Sequence, residues 1–478
     1  MNIFKILPAL PGLIFALMIP AVHAGPTLNA RQLYQNNCAA CHGANMEGAS
    51  APTLGQHNWL HGAPTAANLR KVIAQGVPEK GMPSWSAILS TQQIGLLADY
   101  IAGHAKTTAA APVLTSWAKV APATGQPVAQ VTPIPDLAGF KLPAGFHINV
   151  YANGLPAARA MAVSSSGIVY VGSRAAGKVY AMVPNADKIT AKVVVIAEGL
   201  DAPIGLTLLN GALYVAEIGR IIRFDDIDKR YMTKPSFAVV KADIPNDKWH
   251  GEKVIKAGPD GKLYMPVGAP CNVCETEDKP HAKIWRMNPD GSQFEEYARG
   301  IRNTVGFAFH PKTNALWFTD NGRDNLGDNS PSCELNVAPK PGLHFGFPYC
   351  HGGVVPDPEL SGGRSCDEFE APVAKLGPHV APLGLSFYNA TQFPEAYQGN
   401  LFVAEHGSWN RSKKIGYRVE LITLYDNKMV SDTPFLDGFI RGEQVVGRPV
   451  DIAVIADGSV LISDDYGGRV YRVSYDGK

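Results

Sequence analysis

The sequence predicts a small all-α domain followed by an all-β six-bladed propeller. Three observations carry that expectation. A Cys-Ala-Ala-Cys-His run occupies residues 38–42 among short helical patterns, the texture changes near Gly139 to short β-type runs, and a strand motif then recurs six times. The 478-residue chain is 46% hydrophobic and 18% charged, with 43 Lys plus Arg against 42 Asp plus Glu. That length holds two or three domains with sizeable cores. The balanced charge argues against nucleic acid or an anionic membrane as the main partner, so any basic site has to be local.

Residues 1–24 read as a secretory signal. Lys5 supplies the positive start, Ile6 to Val22 the apolar run, and Val22-His23-Ala24 a cleavage site. Pro8, Pro11 and Pro20 interrupt the run, whereas a membrane span wants roughly 20 smooth apolar residues. The expectation is therefore a periplasmic protein with no stable membrane insertion after cleavage. Export permits disulfides. Outside the Cys38/Cys41 motif, Cys350 and Cys366 bracket a Gly-rich excursion and are expected to pair. Cys271 and Cys274 can close a small loop, and Cys333 is left over. Spacing alone does not fix this connectivity.

Residues 25–105 form the expected α domain. Cys38-Ala-Ala-Cys41-His42 is the pattern by which two thiols bond a haem and the next histidine ligates its iron. A zinc site would need further ligands at suitable spacing. Gly81-Met82-Pro83-Ser84-Trp85 follows, then a helical pattern through Ile94, Leu97 and Ile101. Together these resemble a class I cytochrome c across residues 28–104. The resemblance implies one covalent haem c with Met82 opposite His42, a pairing that raises the iron potential. A core methionine is the plainer reading of Met82, and His57, His61 and His104 are rival ligands.

Residues 106–138 are expected to be a linker, since the stretch from Ala105 to Gln130 is Ala, Pro, Thr and Val with little periodicity. From 139 to 478 the repeat takes over: Gly167-Ile-Val-Tyr170, Gly211-Ala-Leu-Tyr214, Gly261-Lys-Leu-Tyr264, Asn314-Ala-Leu-Trp317, Gly399-Asn-Leu-Phe402 and Gly458-Ser-Val-Leu461. Repeats of about 40–50 residues with several strands each are propeller blades. A lone strand, Phe146 to Tyr151, precedes the first copy, and the chain ends on the third strand of the last. Pairing those two would close the ring and satisfy open edges.

Alternation of strand direction puts two sets of loops on one face. Entering the inner strands are Arg159, His250, Arg302-Asn303, His379 and Arg448. Joining second to third strands are Pro270 to Cys274, Asn321 to Asp328 and His406 to Arg411. Arginines converging on one channel mouth imply an anion between them, because like charges repel and guanidinium pairs best with carboxylate or phosphate. The plainer alternative is local pairing with Glu217, Asp320, Glu405 and Asp464, which follow the second strands.

Here a resemblance becomes specific. It rests on Trp249-His-Gly-Glu-Lys-Val254 with Gly258-Pro-Asp-Gly-Lys-Leu-Tyr264, Gly300-Ile-Arg-Asn303, Asn321-Gly-Arg323 and Gly447-Arg-Pro-Val-Asp451. Residues 139–478 resemble the soluble quinoprotein sugar dehydrogenases, more closely their L-sorbosone dehydrogenase branch. The resemblance implies pyrroloquinoline quinone and Ca²⁺ as cofactors. It makes His250 the general base and Arg302, Asn303 and Arg448 groups that hold the quinone. The backbone carbonyls of Gly322 and Arg323 become calcium ligands. Arg159, Trp409 and Arg411 are further candidates for the quinone. Three departures stand out: Trp249 occupies the position of an acid, Val305 that of a glutamine, and a fifth-blade lysine has no clean counterpart near Asn410, Arg411 and Lys413.

The chemistry expected is oxidation of a sugar lactol or aldehyde, with electrons passed to the attached haem and on to a downstream cytochrome, quinone or oxidase. Two other readings exist for such a fold: a calcium-dependent lactonase, and a non-catalytic propeller that docks an electron-transfer partner.

Overall fold

The computed structural model describes residues 30–43, 46, 51–54, 59–80, 82–107, 132–426 and 428–477. The expected signal and residues 108–131 of the expected linker lie outside the described residues.

The N-terminal unit is helical. It comprises α1 (Ala30–Asn37), α2 (Ala39–His42), α3 (Ala66–Gln75) and α4 (Thr91–Thr107). The Thr65 side chain caps α3 by accepting from the Asn68 amide at 3.2 Å, satisfying one of the amides that a helix start leaves orphaned. The helix stops at Gly76, which is held at φ +68°. A Cβ there would lie 2.3 Å from the Pro83 carbonyl and 2.5 Å from that of Met82. Gly76 thus lets the Met82-Pro83 segment pass. Ile94, Leu97 and Ile101 share one face of α4, and all three are buried with Leu33, Leu69, Ile73 and Trp85. The spacing expected from sequence is the one that packs. No helix among the described residues is long and apolar enough to cross a membrane.

The propeller consists of six sheets, each four-stranded except the third, which gains a fifth strand. The motif that defined the repeat has a local cause. Gly167, Gly211, Gly261, Asn314, Gly399 and Gly458 all sit at positive φ, between 59° and 86°. Each lies in the connection between the first and second strands, just before the second strand. Only Gly, or Asn at modest cost, takes that conformation freely. The aromatic or aliphatic residue three places on then points into the layer between blades. Tyr170, Trp317, Phe402 and Leu461 are almost fully buried. Two of the tyrosines also find partners for their hydroxyls: Tyr170 donates to Asp228 at 2.8 Å and Tyr264 to Asp260 at 2.9 Å.

The ring closes as expected. Phe146–Asn153 pairs antiparallel with Arg469–Tyr475, so the first strand of the propeller becomes the outer strand of the last blade. Blade four carries a long excursion between its third strand (Ser332–Ala338) and its fourth (Ala374–Pro378). Part of that excursion runs back to blade three, where Leu343–His344 adds in parallel to Glu295–Arg299. The two expected disulfides, Cys350–Cys366 and Cys271–Cys274, are present, and Cys333 is a buried free thiol.

One expectation changes at its edge. Residues 132–138 were expected to be tether, yet they bind the propeller. Arg469 donates to the Thr132 carbonyl and, at 3.2 Å, to that of Pro133. Arg441 donates to Asp136 at 2.6 Å, and Leu137–Gly139 forms a helical turn. The buried Arg469 guanidinium needs acceptors, and these carbonyls supply them.

Candidate functional site

In the helical unit, Cys38 and Cys41 lie on the first turns around α2 and are not bonded to each other. His42 places Nδ1 2.8 Å from the Pro52 carbonyl, which fixes the ring and leaves Nε2 for a metal. Burial lowers the His42 pKa, favouring the neutral imidazole that ligates iron. Met82 is half-buried and its backbone pairs with Val77. Of the rival ligands, His61 is exposed and His57 lies outside the described residues. A histidine with Nδ1 tied back, two unbridged thiols and a partly buried thioether fit a covalent haem.

In the propeller, His250 precedes the inner strand of blade three in a left-handed conformation, φ +48°. Its Nδ1 lies 2.8 Å from the Ala269 carbonyl, so Nδ1 carries the hydrogen and Nε2 is the lone-pair acceptor. Burial, then the nearby Arg302 charge, lowers its pKa well below the ordinary value. The ring is therefore neutral at neutral pH. Gly268 makes room for it: a Cβ at 268 would lie 2.6 Å from the His250 Cβ and 3.3 Å from Asn303 Oδ1.

The arginines behave differently from one another. Arg302 is heavily engaged: it donates to the Asn272 carbonyl and Oδ1, each at 2.8 Å, to Asp324 at 2.9 Å and to the Asn321 carbonyl at 3.2 Å. Arg159 pairs with Asp465 at 2.8 Å and with Glu252 at 3.4 Å. Arg448 makes no carboxylate ion pair among the described residues. It lies 5.8 Å over the Tyr417 ring, and its buried Nε has no hydrogen-bond partner, as is also true of Arg159 Nε. An orphaned buried guanidinium nitrogen is costly and marks a place for an anion. Arg411 is tied to the Asp328 and Lys413 carbonyls at 3.0 and 2.8 Å, bridging the loops of blades four and five. Trp409 sits half-buried on the same loop.

Of the acids that close the second strands, Glu217 pairs with Arg220 and Glu405 with Arg418, whereas Asp320 and Asp464 have a role that the local-pairing alternative did not include. Asp320 accepts from the Arg302 amide at 2.8 Å and the Asn303 amide at 2.6 Å. Asp464 accepts from the Arg448 amide at 2.9 Å. They hold the backbone of the inner-strand residues, not their guanidinium groups. Burial pushes Asp320 up to about 6 and Asp464 up to about 7.

The Asn321-Gly-Arg323 loop is anchored through its side chains. Arg323 pairs with Asp357 and Glu359 of the blade-four excursion, and His351 meets Asp357 at 2.8 Å. The Gly322 and Arg323 carbonyls accept no hydrogen bond among the described residues. Asp324 stands next to them, shared between Arg302 and Asn410. Carbonyl oxygens beside one carboxylate fit a hard cation. No group of three His, Cys, Asp or Glu side chains suited to a metal exists among the described residues, which is compatible with a site made chiefly of backbone.

Glu252 and Asp465 at this mouth were not singled out from sequence, whereas Asp324 and His406 lie in the Asn321–Asp328 and His406–Arg411 loops expected on this face. His406 Nε2 lies 2.9 Å from Asp465. Burial alone would raise the Asp465 carboxyl, but His406, Arg159 and Arg448 around it hold it well below the usual range. Glu252 was legible only as the neighbour of His250, and Asp465 only as the residue after the second-strand acid. His379 bonds the Gly327 carbonyl of the 321–328 loop at 2.8 Å.

Comparison with known proteins agrees with this division. A family model described as TrAA12-like matches residues 140–476, and a cytochrome c oxidase cbb3-type subunit III model matches residues 25–101. The aldose sugar dehydrogenase YliI of Escherichia coli is 31% identical over 45% of this chain, and the aligned part spans 58% of that protein. A calcium structure of a Trichoderma reesei family AA12 enzyme covers 73% of this chain and 99% of its own, at 16% identity and TM-score 0.62. The holo pyranose dehydrogenase PQQ domain of Coprinopsis cinerea covers 73% and 98%, at 19% identity and TM-score 0.58.

Proposed function

This chain belongs to the TrAA12-like family, with a c-type cytochrome domain at its N-terminal end, and from that premise we propose that it is a periplasmic quinohaemoprotein dehydrogenase. Its substrate class is a sugar lactol or related aldehyde, and its haem takes the electrons onward to an external acceptor. The observation that carries the reading is the His250 geometry. A neutral imidazole, its Nδ1 hydrogen committed to Ala269, presents Nε2 as a base among buried arginines.

The residues divide the work. His250 Nε2 takes the hydroxyl proton of the substrate, a task suited to an imidazole that stays unprotonated in the working pH range. When bound, pyrroloquinoline quinone would supply the two-electron acceptor and Ca²⁺ a Lewis acid. Arg448 and Arg159 answer cofactor carboxylates with their unpartnered Nε groups. Arg302 keeps the 270–274 and 321–324 loops together, with Asn303 beside Gly268 and His250. The Gly322 and Arg323 carbonyls, with Asp324, hold the cation. The E. coli relative named as an aldose sugar dehydrogenase supports the substrate class.

His250→Ala tests this directly. Loss of a general base costs about 10²–10⁴-fold in turnover, while quinone binding, read by absorbance on adding cofactor and calcium, stays at the wild-type level. Because the His250 pKa lies well below 6.5, the wild-type rate should not fall between pH 8 and 6.5 from protonation of this group. Wild-type turnover in the variant removes His250 from the mechanism.

A further inference from the structure

Resting on the cation site read above at Gly322 and Arg323, we propose that Asn272 is the positioning residue of the cation loop, and that the Cys271–Cys274 bridge around it makes cation affinity depend on thiol redox state.

Asn272 sits in the loop that joins the second and third strands of blade three, Leu263–Val267 and Lys283–Met287. Its side-chain amide grips the backbone of the neighbouring loop at two points. Oδ1 accepts from the Asp324 amide at 2.9 Å, and Nδ2 donates to the Asp324 carbonyl at 3.0 Å. Oδ1 also accepts from Arg302 Nη2 at 2.8 Å, and the Asn272 carbonyl accepts from Arg302 Nε at 2.8 Å. Both lone pairs of Oδ1 are thus used. The Asp324 N–H belongs to the same peptide unit as the Arg323 C=O. A peptide unit is planar, so fixing the one fixes the direction of the other. Asn272 therefore aims a candidate cation ligand without touching the cation, as the groups behind a metal's ligands commonly do.

What holds Asn272 itself is covalent. Cys271 and Cys274, three residues apart, are bridged across it. Among the described residues, no amide from Cys271 to Cys274 donates a backbone hydrogen bond, so no secondary structure fixes the segment. Cys271 and Val273 pack on Ala269, Ala282 and Phe347. Both cysteines of the bridge are only partly buried, so a small dithiol reaches them. The dithiol passes two electrons and two protons to the bridge. The S–S bond breaks, Cys271 and Cys274 become thiols, and the reagent becomes a disulfide. The segment then regains backbone freedom, and holding Asn272 in place costs conformational entropy that the bridge had removed. The second bridge, Cys350–Cys366, lies in the excursion that anchors Arg323 through Asp357 and Glu359. It is the rival source of any thiol effect on this loop.

Full-length protein, stripped of metal by a chelator, is titrated calorimetrically with calcium alone, without quinone. Asn272→Ala should bind calcium about 10–100-fold more weakly than wild type, the usual cost of losing a partner that orients a ligand. Terbium in place of calcium should gain about one coordinated water in that variant, because a misdirected carbonyl yields its place to solvent. Luminescence decay in light and heavy water reads this, and a loss of stability alone would not add the water. Dithiol treatment of folded wild type, and Cys271→Ser/Cys274→Ser without it, should each weaken calcium binding about tenfold. The same treatment of the double variant should change nothing further. A further loss there assigns the effect to Cys350–Cys366 and overturns the switch, as does unchanged affinity after opening the Cys271–Cys274 bridge. Wild-type affinity and hydration in Asn272→Ala overturn the positioning role. If wild type itself binds no calcium, the cation site read above fails, and this proposal with it.

Discussion

The two halves of this molecule build their reactive centres in opposite ways. The cytochrome domain's candidates are residues 38–42, neighbours along the chain, and Met82, which follows helix α3. The propeller draws on Arg159, His250, Arg302, Arg448 and Asp465, which come from blades one, three, four and six and meet only because the ring closes. A local motif survives almost any change elsewhere that leaves its own helices intact. A distributed site depends on loop packing at every blade, so its weak points include residues that touch no substrate.

Gly268→Ala should expose that dependence most sharply. The new Cβ has to displace His250 from 2.6 Å away, so turnover should fall by about 10²-fold, within the range for a lost base. The haem spectrum should not change. A steady-state assay beside an absorption spectrum reads both, and an unaltered rate would show that His250 has room to spare.

Arg448→Ala and Arg302→Ala should separate two kinds of arginine. Losing one charge-assisted hydrogen bond costs about 1.5–3 kcal/mol, or one to two decades of quinone affinity. Arg448→Ala should show that loss with little change in thermal stability. Arg302→Ala should lower the melting temperature as well, because Asp324 and Asn272 lose their shared partner. Titration of quinone alongside a melting curve distinguishes them. Equal stability in both variants would mean that Arg302 is not structural.

Met82→Ala should act on the other half alone. The haem stays attached through Cys38 and Cys41, its potential falls and its axial-ligand bands change, while dye reduction by the propeller continues. An unchanged potential would transfer the distal role to another group.

The smallest effect concerns pH. Glu405 is buried with Glu420 around the single Arg418, and burial pushes Glu405 up to about 8. A carboxyl whose folded pKa is raised stabilises most below its unfolded value and loses that contribution as pH climbs to the folded one. Stability should therefore decline between about pH 4.5 and 8, and Glu405→Gln should flatten the decline by a few degrees of melting temperature. Parallel melting curves for both proteins across that range would contradict it.

Much of this architecture was readable before any coordinates. The six turn residues demand positive φ whatever surrounds them, and the unpaired first strand needs a partner for its edge. Both are properties of the backbone within a few residues. The site was less legible. His250, Asn303 and Arg448 were named from short motifs and His406 fell in a loop assigned to this face, whereas Glu252 and Asp465 were not singled out. The tether boundary was misplaced for a similar reason. Ala-Pro-Thr composition says nothing of acceptors, yet a buried arginine in blade six claims the carbonyls of Thr132 and Pro133.

By itself, then, the sequence determined the Cys-Ala-Ala-Cys-His motif, the blade count and the cysteines available for bridging. Each is written in covalent chemistry or in local conformational preference. Only the tertiary structure decided which arginines keep an unpartnered nitrogen. Arg302 finds Asp324, Arg159 finds Asp465 yet keeps its Nε unpartnered, and Arg448 finds no carboxylate among the described residues. That outcome depends on distances between blades, and electrostatic pairing is settled by distance and burial rather than by order along the chain.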